Sequence, residues 1–154
     1  MNKTAQFISG LLIFGFITAF VVFYSYKLTA DRLLKRDLEI TRILDKTFDD
    51  KLCEQYALVA VRNAWYPCLK CGGKDSIFLY KGEVWKYGKT CNGEFGGYVN
   101  GLPNENLKYF IEFESNETEC LIEEKRKIYN YPNLPECLKR DFVLLRPPGN
   151  KIDR

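Results

Sequence analysis

The stretch Gly82-Glu83-Val84-Trp85-Lys86-Tyr87-Gly88-Lys89-Thr90 decides the fold predicted for this chain. Its polar and apolar side chains follow the two-residue period of a β-strand. Gly82 separates it from the apolar run Ile77-Phe78-Leu79-Tyr80, so we expect the two runs to be the arms of a hairpin. Gly88, near the end of the stretch, allows another group to approach the backbone closely. We therefore expect this stretch to be one strand of a packed hairpin.

The composition is that of a globular protein and excludes several kinds of catalytic site. The chain has 154 residues, enough for one domain and an accessory segment, and its 11 Phe, 10 Tyr and 2 Trp can build a core. It contains no histidine. Ser-His-Asp and Cys-His catalysis and His-ligated zinc are therefore excluded. The net charge of +3 is too small to indicate a nucleic-acid-binding protein by itself.

The N-terminal part predicts a membrane anchor. After a short tail, residues 1–4, residues 5–26 contain no charged side chain, which is long enough for a transmembrane helix. Lys3 alone precedes this segment, whereas six Lys and Arg residues lie between residues 27 and 46. The excess of positive charge predicts a single-pass protein with its N-terminus outside and its C-terminal domain in the cytoplasm.

Residues 27–64 are predicted to continue as a helical stalk. They contain neither Gly nor Pro, and apolar residues such as Leu33, Ile40 and Leu44 recur at spacings of seven or four. Such a helix packs either on its own domain or against a second copy in a coiled coil. The second alternative predicts a homodimer formed through residues 27–64.

Residues 65–154 are predicted to form the folded α+β unit. The proline in Trp65-Tyr66-Pro67 ends the helical pattern, and residues 108–114 alternate as in a strand. Asn116 is a good N-cap for a helix over residues 117–129, and a helical turn is expected over residues 136–140. We expect an α+β fold in which residues 108–114 form a third or fourth strand of a small, mixed or antiparallel sheet flanked by helices.

The cysteines leave two interpretations open. Cys68 and Cys71 have the two-residue gap of a zinc knuckle, so they are candidate zinc ligands, but no second close pair accompanies them. Free cytosolic thiols are the favoured interpretation. Disulfides would require the opposite membrane topology, because the cytosol keeps thiols reduced.

Three short motifs in residues 65–154 together resemble the GIY-YIG nuclease domain. They are Tyr87-Gly88-Lys89-Thr90, a later helix that carries Glu124, and the closing Pro147-Pro148-Gly149-Asn150. The resemblance implies a three-stranded sheet flanked by helices and a phosphodiesterase site. In such a site a tyrosine activates water, an arginine stabilises the phosphate, a glutamate binds Mg²⁺ or Mn²⁺ and an asparagine completes the pocket.

The motifs assign a role to each candidate catalytic residue. Gly88 and Thr90 match the second motif, with Lys86 at its tyrosine position. The resemblance implies that the first-motif tyrosine is Tyr66 or Tyr80, that the metal ligand is Glu124 (with Glu123 as the alternative), and that the phosphate is positioned by Lys89 and Asn150. Gly96 and Gly97 stand where the family places its arginine, and a lysine such as Lys89 replaces its bidentate fork only in part.

Two functions follow from these observations. The first is a membrane-anchored phosphodiesterase that acts on nucleic acid with Mg²⁺ or Mn²⁺. The second is a catalytically degenerate binding or scaffold module at the membrane. The missing arginine and the near-neutral charge of residues 65–154 favour the second.

Overall fold

The computed structural model describes residues 3–46 and 51–152, and their side chains from residue 17 onward. Helix α1 spans Lys3–Leu44. Two compact units are distinguished, Met1–Asp37 and Leu38–Arg154. Residues 5–16 of the predicted transmembrane segment lie outside the residues whose side chains are described. Among the described residues, no helix combines the length and apolar character needed to cross a bilayer.

The second unit is an α+β fold with two small antiparallel sheets. In the larger sheet the central strand β1 pairs with β4 on one side and with β5 on the other, and β2 and β3 form a separate two-stranded sheet. The expected class and the three-stranded sheet are thus confirmed. The elements in chain order are β1 (Leu52–Ala60), β2 (Ala64–Cys71), β3 (Lys74–Leu79), β4 (Val84–Thr90), α2 (Gly93–Gly97), β5 (Leu107–Asn116), α3 (Glu117–Asn130), a 3-10 turn (Tyr131–Asn133) and α4 (Pro135–Leu138).

The arrangement of the strands differs from the prediction in two respects. Residues 52–60, expected in the helical stalk, form the central strand β1, because their side chains are almost all buried between neighbouring strands and helix. The apolar run 77–80 does not pair with the stretch 82–90. Instead β3 pairs with β2, and β4 pairs with β1 and lies at one edge of its sheet. The folded unit therefore begins well before residue 65.

In the second half of the unit, a strand and a helix lie where the sequence predicts them. The strand expected over residues 108–114 is β5, and the helix expected over residues 117–129 is α3. The Asn116 side chain accepts a hydrogen bond of 3.0 Å from the backbone N–H of Glu119, as an N-cap should. Two glutamates in the first turn of α3 further stabilise its positive end.

The C-terminal tail covers the outer edge of β4. The Asn150 amide accepts a hydrogen bond from the Tyr87 backbone N–H at 3.0 Å and donates one to the Tyr87 carbonyl at 2.9 Å. These are the two hydrogen bonds that the backbone of a neighbouring strand would otherwise make with Tyr87. The Gly149 N–H donates to the Trp85 carbonyl at 2.6 Å, and a Cβ atom at Gly149 would collide with the Trp85 ring. This tail satisfies backbone groups that an uncovered edge would leave exposed.

Four of the six cysteines form disulfides. Cys53 at the start of β1 is bonded to Cys91, directly after β4, and Cys68 is bonded to Cys71 within β2. Cys120 and Cys137 are free and buried. The expectation of free thiols is therefore wrong for the four bonded cysteines. Disulfides are typical of oxidising compartments, so they count against the cytoplasmic placement that the Lys and Arg count predicts.

Replacing Asn150 with alanine is expected to lower the free energy of unfolding by about 2–4 kcal/mol, because two buried backbone groups of Tyr87 lose their partner. Urea titrations followed by Trp fluorescence measure the change. Asn100→Ala, at an exposed turn position, is the matched control and should change stability by less than about 0.5 kcal/mol. Equal stabilities of the two variants would contradict the proposed edge cover.

Alkylation with a maleimide-polyethylene glycol reagent tests the disulfides. Denatured but unreduced protein, from cells quenched in acid so that thiols and disulfides cannot exchange, should gain two reagent molecules, at Cys120 and Cys137. The same protein should gain six after reduction, the number of cysteines in the chain. Six additions without reduction would contradict both disulfides and would support the cytoplasmic placement.

Candidate functional site

Gly88 of β4 lies directly against an aromatic side chain of the neighbouring strand β1. Gly88 pairs with Tyr56 of β1, and the Tyr56 ring covers the Gly88 Cα so tightly that a Cβ atom there would collide with the ring. This contact explains why β4 requires glycine at a position where most strands carry a side chain. It also fixes the position of the Tyr56 hydroxyl.

Three tyrosines and one lysine meet around this contact, and we call Tyr56, Lys86, Tyr98 and Tyr109 the tyrosine cluster. The hydroxyls of Tyr56 and Tyr98 share a hydrogen bond of 2.9 Å, and the Lys86 ammonium donates to the Tyr98 hydroxyl at 3.0 Å. The Tyr56 and Tyr109 rings stack with centroids 4.4 Å apart. The Tyr109 hydroxyl donates to a carboxylate oxygen of Glu54. A cation and two phenols are thus held within hydrogen-bonding distance.

The environment of the cluster keeps the phenols of Tyr56 and Tyr109 protonated. Burial raises the pKa of Tyr56, and the hydrogen bond to Tyr98 and the charges of Tyr109 and Glu124 raise it further. Burial and the hydrogen bond to Glu54 raise the pKa of Tyr109 in the same way. At neutral pH these groups therefore act as hydrogen-bond donors and acceptors, and the phenolate of Tyr56 is scarce.

Helix α3 brings a buried carboxylate toward the cluster. Glu124 is 9% exposed, and its charge acts on the phenol of Tyr56. The neighbouring Lys125 forms an ion pair with Glu39, and Glu123 forms one with Arg126 at 3.7 Å. Of the two glutamates considered as metal ligand, Glu124 is the one whose charge acts on Tyr56.

Neither tyrosine predicted for the first motif belongs to the cluster. Tyr66 is fully buried in β2, and its hydroxyl lies 2.9 and 3.0 Å from the carbonyl oxygens of Arg62 and Asn106, which share its one proton. Tyr80 follows β3, is 58% exposed and packs edge-on against Phe78. The hydroxyl that lies over Gly88 belongs to Tyr56.

The other two predicted polar residues have structural partners. The Lys89 ammonium forms an ion pair with Glu117 and lies 3.4 Å from the Cys91 sulfur. Both polar atoms of the Asn150 amide are bound to the Tyr87 backbone. Lys86, at the tyrosine position of the second motif, is the predicted polar residue that lies in the tyrosine cluster.

The sulfur atoms do not form the predicted zinc site. Cys68 and Cys71 are bonded to each other. Among the described residues, a group with suitable spacing for a metal consists of Cys53, Cys91 and Glu117. Since Cys53 and Cys91 are also bonded to each other and the Lys89 cation is adjacent, this group does not suit a cation either.

The position of the expected arginine is open to solvent. Gly97 ends the short helix α2, and a Cβ atom built there would meet no atom within 4 Å. At Gly96 a Cβ atom would collide with the Asn92 side chain. An arginine can therefore be introduced at Gly97 without a steric conflict.

Tyr56 was missed because the run around it was assigned to the stalk. The run Cys53-Glu54-Gln55-Tyr56-Ala57-Leu58-Val59-Ala60-Val61 lacks Gly and Pro, which also suits a helix. Its aromatic and β-branched residues are signals of a strand. The tight contact with Gly88 depends on strand pairing, which a single sequence does not reveal.

Comparisons with known proteins identify no relative. No protein-family model matches the chain, and no curated protein or solved structure matches it significantly. The resemblance to the GIY-YIG domain therefore depends on the short motifs alone. The function has to be argued from the tyrosine cluster and the residues around it.

The raised pKa of Tyr56 gives a pH dependence of stability. A phenol whose pKa is higher in the folded than in the unfolded state stabilises the fold fully below about pH 10, and this contribution is lost as the pH rises further. We expect the free energy of unfolding to fall above about pH 10. Tyr56→Phe should reduce the slope by up to about 1.4 kcal/mol per pH unit. Urea titrations between about pH 8 and pH 11 measure both slopes, and identical slopes would contradict the assignment.

Proposed function

We propose that residues 51–152 act as a phosphodiesterase on nucleic acid, with the tyrosine cluster as the phosphate-binding site and Glu124 as the ligand of Mg²⁺ or Mn²⁺. The observation that carries the proposal is the cluster itself. The cluster brings the Lys86 ammonium group and the hydrogen-bonded phenols of Tyr56 and Tyr98 together. They lie beside Gly88, where there is no room for a side chain. Such convergence of polar groups on a strand is typical of a binding or catalytic site.

Lys86 supplies the positive charge of this site. Its Nζ lies 3.0 Å from the Tyr98 hydroxyl and 5.9 Å from the centre of the Tyr56 ring, so a phosphate oxygen beside the phenols would contact it. Lys89 is less suitable, because Glu117 neutralises it. A lysine binds phosphate as a point charge and lacks the bidentate geometry of arginine.

The phenols provide a hydrogen-bonded chain between Lys86 and Tyr56. Tyr56 is protonated at neutral pH, and loss of its proton during a reaction would be favoured by the nearby ammonium group. Hydrogen bonds from Tyr98 would hold a phosphate oxygen or a water molecule in place. The side chains that these roles need, Lys86, Tyr98 and Tyr56, are hydrogen-bonded in sequence to one another.

Glu124 fits a hard divalent cation in its chemistry. Mg²⁺ and Mn²⁺ bind carboxylate oxygens, and Glu124 places a largely buried carboxylate on helix α3. A bound cation would lower the pKa of a water molecule and neutralise the charge that develops on the phosphate. Since one buried carboxylate is involved, substrate oxygens and water would have to supply the other ligands.

A binding or scaffold module without catalysis is the second candidate. The raised pKa of Tyr56 disfavours a phenol as base, and no arginine stands at Gly96 or Gly97. Loss of one group that stabilises transition-state charge commonly reduces the rate by about 100-fold or more. The same cluster would then recognise a phosphate group without cleaving it.

The membrane anchor and the dimer belong to the same proposal. Residues 5–26 would anchor the chain in a membrane as a single helix, and residues 27–44 would continue that helix as a stalk on which two copies pair. Strand β1 removes residues 52–60 from this stalk. The side of the membrane depends on the disulfides, since they and the Lys and Arg count favour opposite sides.

Nuclease activity of the full chain in a non-ionic detergent tests the proposed reaction. With Mg²⁺ or Mn²⁺, we expect cleavage of plasmid, branched DNA or single-stranded RNA. Lys86→Met and Glu124→Gln should each reduce the rate by about 100-fold or more. Lys108→Ala, which removes an exposed lysine of β5, is the control and should retain the activity.

The outcomes separate the two candidates. Cleavage that survives Glu124→Gln unchanged would refute the proposed metal ligand. If the wild-type chain does not cleave and Gly97→Arg creates activity, the cluster is a degenerate nuclease site. If both the wild-type chain and the Gly97→Arg variant bind nucleic acid without cleaving it, the result would support the binding module.

A further inference from the structure

The β2–β3 hairpin has one buried and one exposed face. Trp65 pairs with Phe78 across the hairpin, next to the pair formed by Tyr66 and Ile77. Tyr66 and Ile77 point into the core, whereas Trp65 is 67% exposed and Phe78 is partly exposed. Tyr80 continues the exposed side at the end of β3. We call Trp65, Phe78 and Tyr80 the aromatic face.

The three rings of the aromatic face support one another. The Trp65 and Phe78 rings pack edge to face with centroids 5.7 Å apart, and the Phe78 and Tyr80 rings do the same at 5.3 Å. These contacts restrict the rotamers of large side chains that would otherwise lose entropy on binding a ligand. The aromatic face is therefore a preorganised surface. The free-energy cost of exposing its rings to water is not offset by other contacts within the hairpin.

Positive charge is concentrated on the same hairpin. Residues 62–81 contain four basic residues and one acidic residue, whereas residues 82–152 contain ten basic and eleven acidic residues. Lys74 stacks on the Phe142 ring, with Nζ 4.0 Å from its centroid. The exposed cations that remain on the hairpin are Arg62, Lys70 and Lys81. Arg62 precedes β2 and Lys81 follows β3, at the end of the hairpin that carries the exposed rings, whereas Lys70 lies toward its turn. The hairpin thus combines cations with exposed rings, which complements an anionic ligand with flat groups.

We propose that the aromatic face, together with Arg62, Lys70 and Lys81, binds single-stranded nucleic acid by stacking unpaired bases on Trp65 and Tyr80. The inference takes the class of ligand from the proposed function, on which it rests, and adds that the substrate is held in single-stranded form. Exposed aromatic rings stack on any base, and adjacent lysines and arginines contact the backbone phosphates. Bases in a duplex are paired and stacked, so their faces do not reach such a surface.

Fluorescence anisotropy of a labelled oligothymidylate of about fifteen nucleotides tests the proposal on the full chain in detergent, with EDTA present to prevent cleavage. We expect the single strand to bind more tightly than a duplex of equal length. Trp65→Ala and Tyr80→Ala should each raise the Kd roughly five-fold or more. Phe110→Ala, an exposed aromatic residue of β5, is the matched control and should leave the Kd unchanged.

Tryptophan fluorescence gives an independent readout. Trp65 is exposed and Trp85 is buried, so stacking of thymine on Trp65 should quench the emission of the wild-type chain. Trp65→Phe should abolish most of this quenching while retaining much of the affinity. Far-UV circular dichroism of each variant verifies that the fold is intact.

Each outcome decides for or against the aromatic face. Wild-type affinity in both alanine variants, or equal affinity for duplex and single strand, would overturn the proposal. So would binding that falls with Lys86→Met alone, which would place the ligand on the tyrosine cluster. Retained binding by a chain without nuclease activity would refute only the catalytic proposal.

Discussion

The packing of the Tyr56 ring over Gly88 is the contact on which the rest of the folded unit depends. It requires glycine in β4, it sets the register of β4 against the central strand β1, and it fixes a phenol at the surface of the sheet. Any larger residue at position 88 would displace the ring, and with it the hydrogen bond to Tyr98. One steric constraint therefore links the pairing of the strands with the geometry of the candidate site.

The opposite side of β4 is stabilised without a further strand. Its outer edge is covered by the tail, in which rigid prolines deliver the Asn150 amide to the Tyr87 backbone. The sequence resemblance had assigned this asparagine to phosphate binding, but a side-chain amide has the same donor and acceptor as a peptide group. Here it serves as a substitute for one. The requirements of the fold can therefore account for the Pro147-Pro148-Gly149-Asn150 sequence.

The sequence predicts the elements whose signals are local. Helix α3 begins where Asn116 can cap it, and β5 shows the alternation of a half-exposed strand. Strand β1 could not be predicted in the same way, because a run without Gly or Pro suits a helix as well as a buried strand. The site depended on that strand, so Tyr66 and Tyr80 were considered in place of Tyr56. The disulfides could not be predicted from spacing either. Cys53 and Cys91 are far apart in sequence, and the spacing of Cys68 and Cys71 suits zinc ligands as well as a disulfide.

The distribution of charge bears on the proposal that a weakly charged chain binds single-stranded nucleic acid. Averaged over the folded unit the charges nearly cancel, which argues against a protein that binds duplex DNA through many phosphate contacts. The excess of basic over acidic residues is confined to the hairpin that carries the exposed rings, and Lys86 adds a cation within the tyrosine cluster. Stacking contributes affinity that does not depend on net charge. A surface with few cations can therefore retain a single strand, provided that aromatic contacts supply part of the binding energy that a basic surface would otherwise provide.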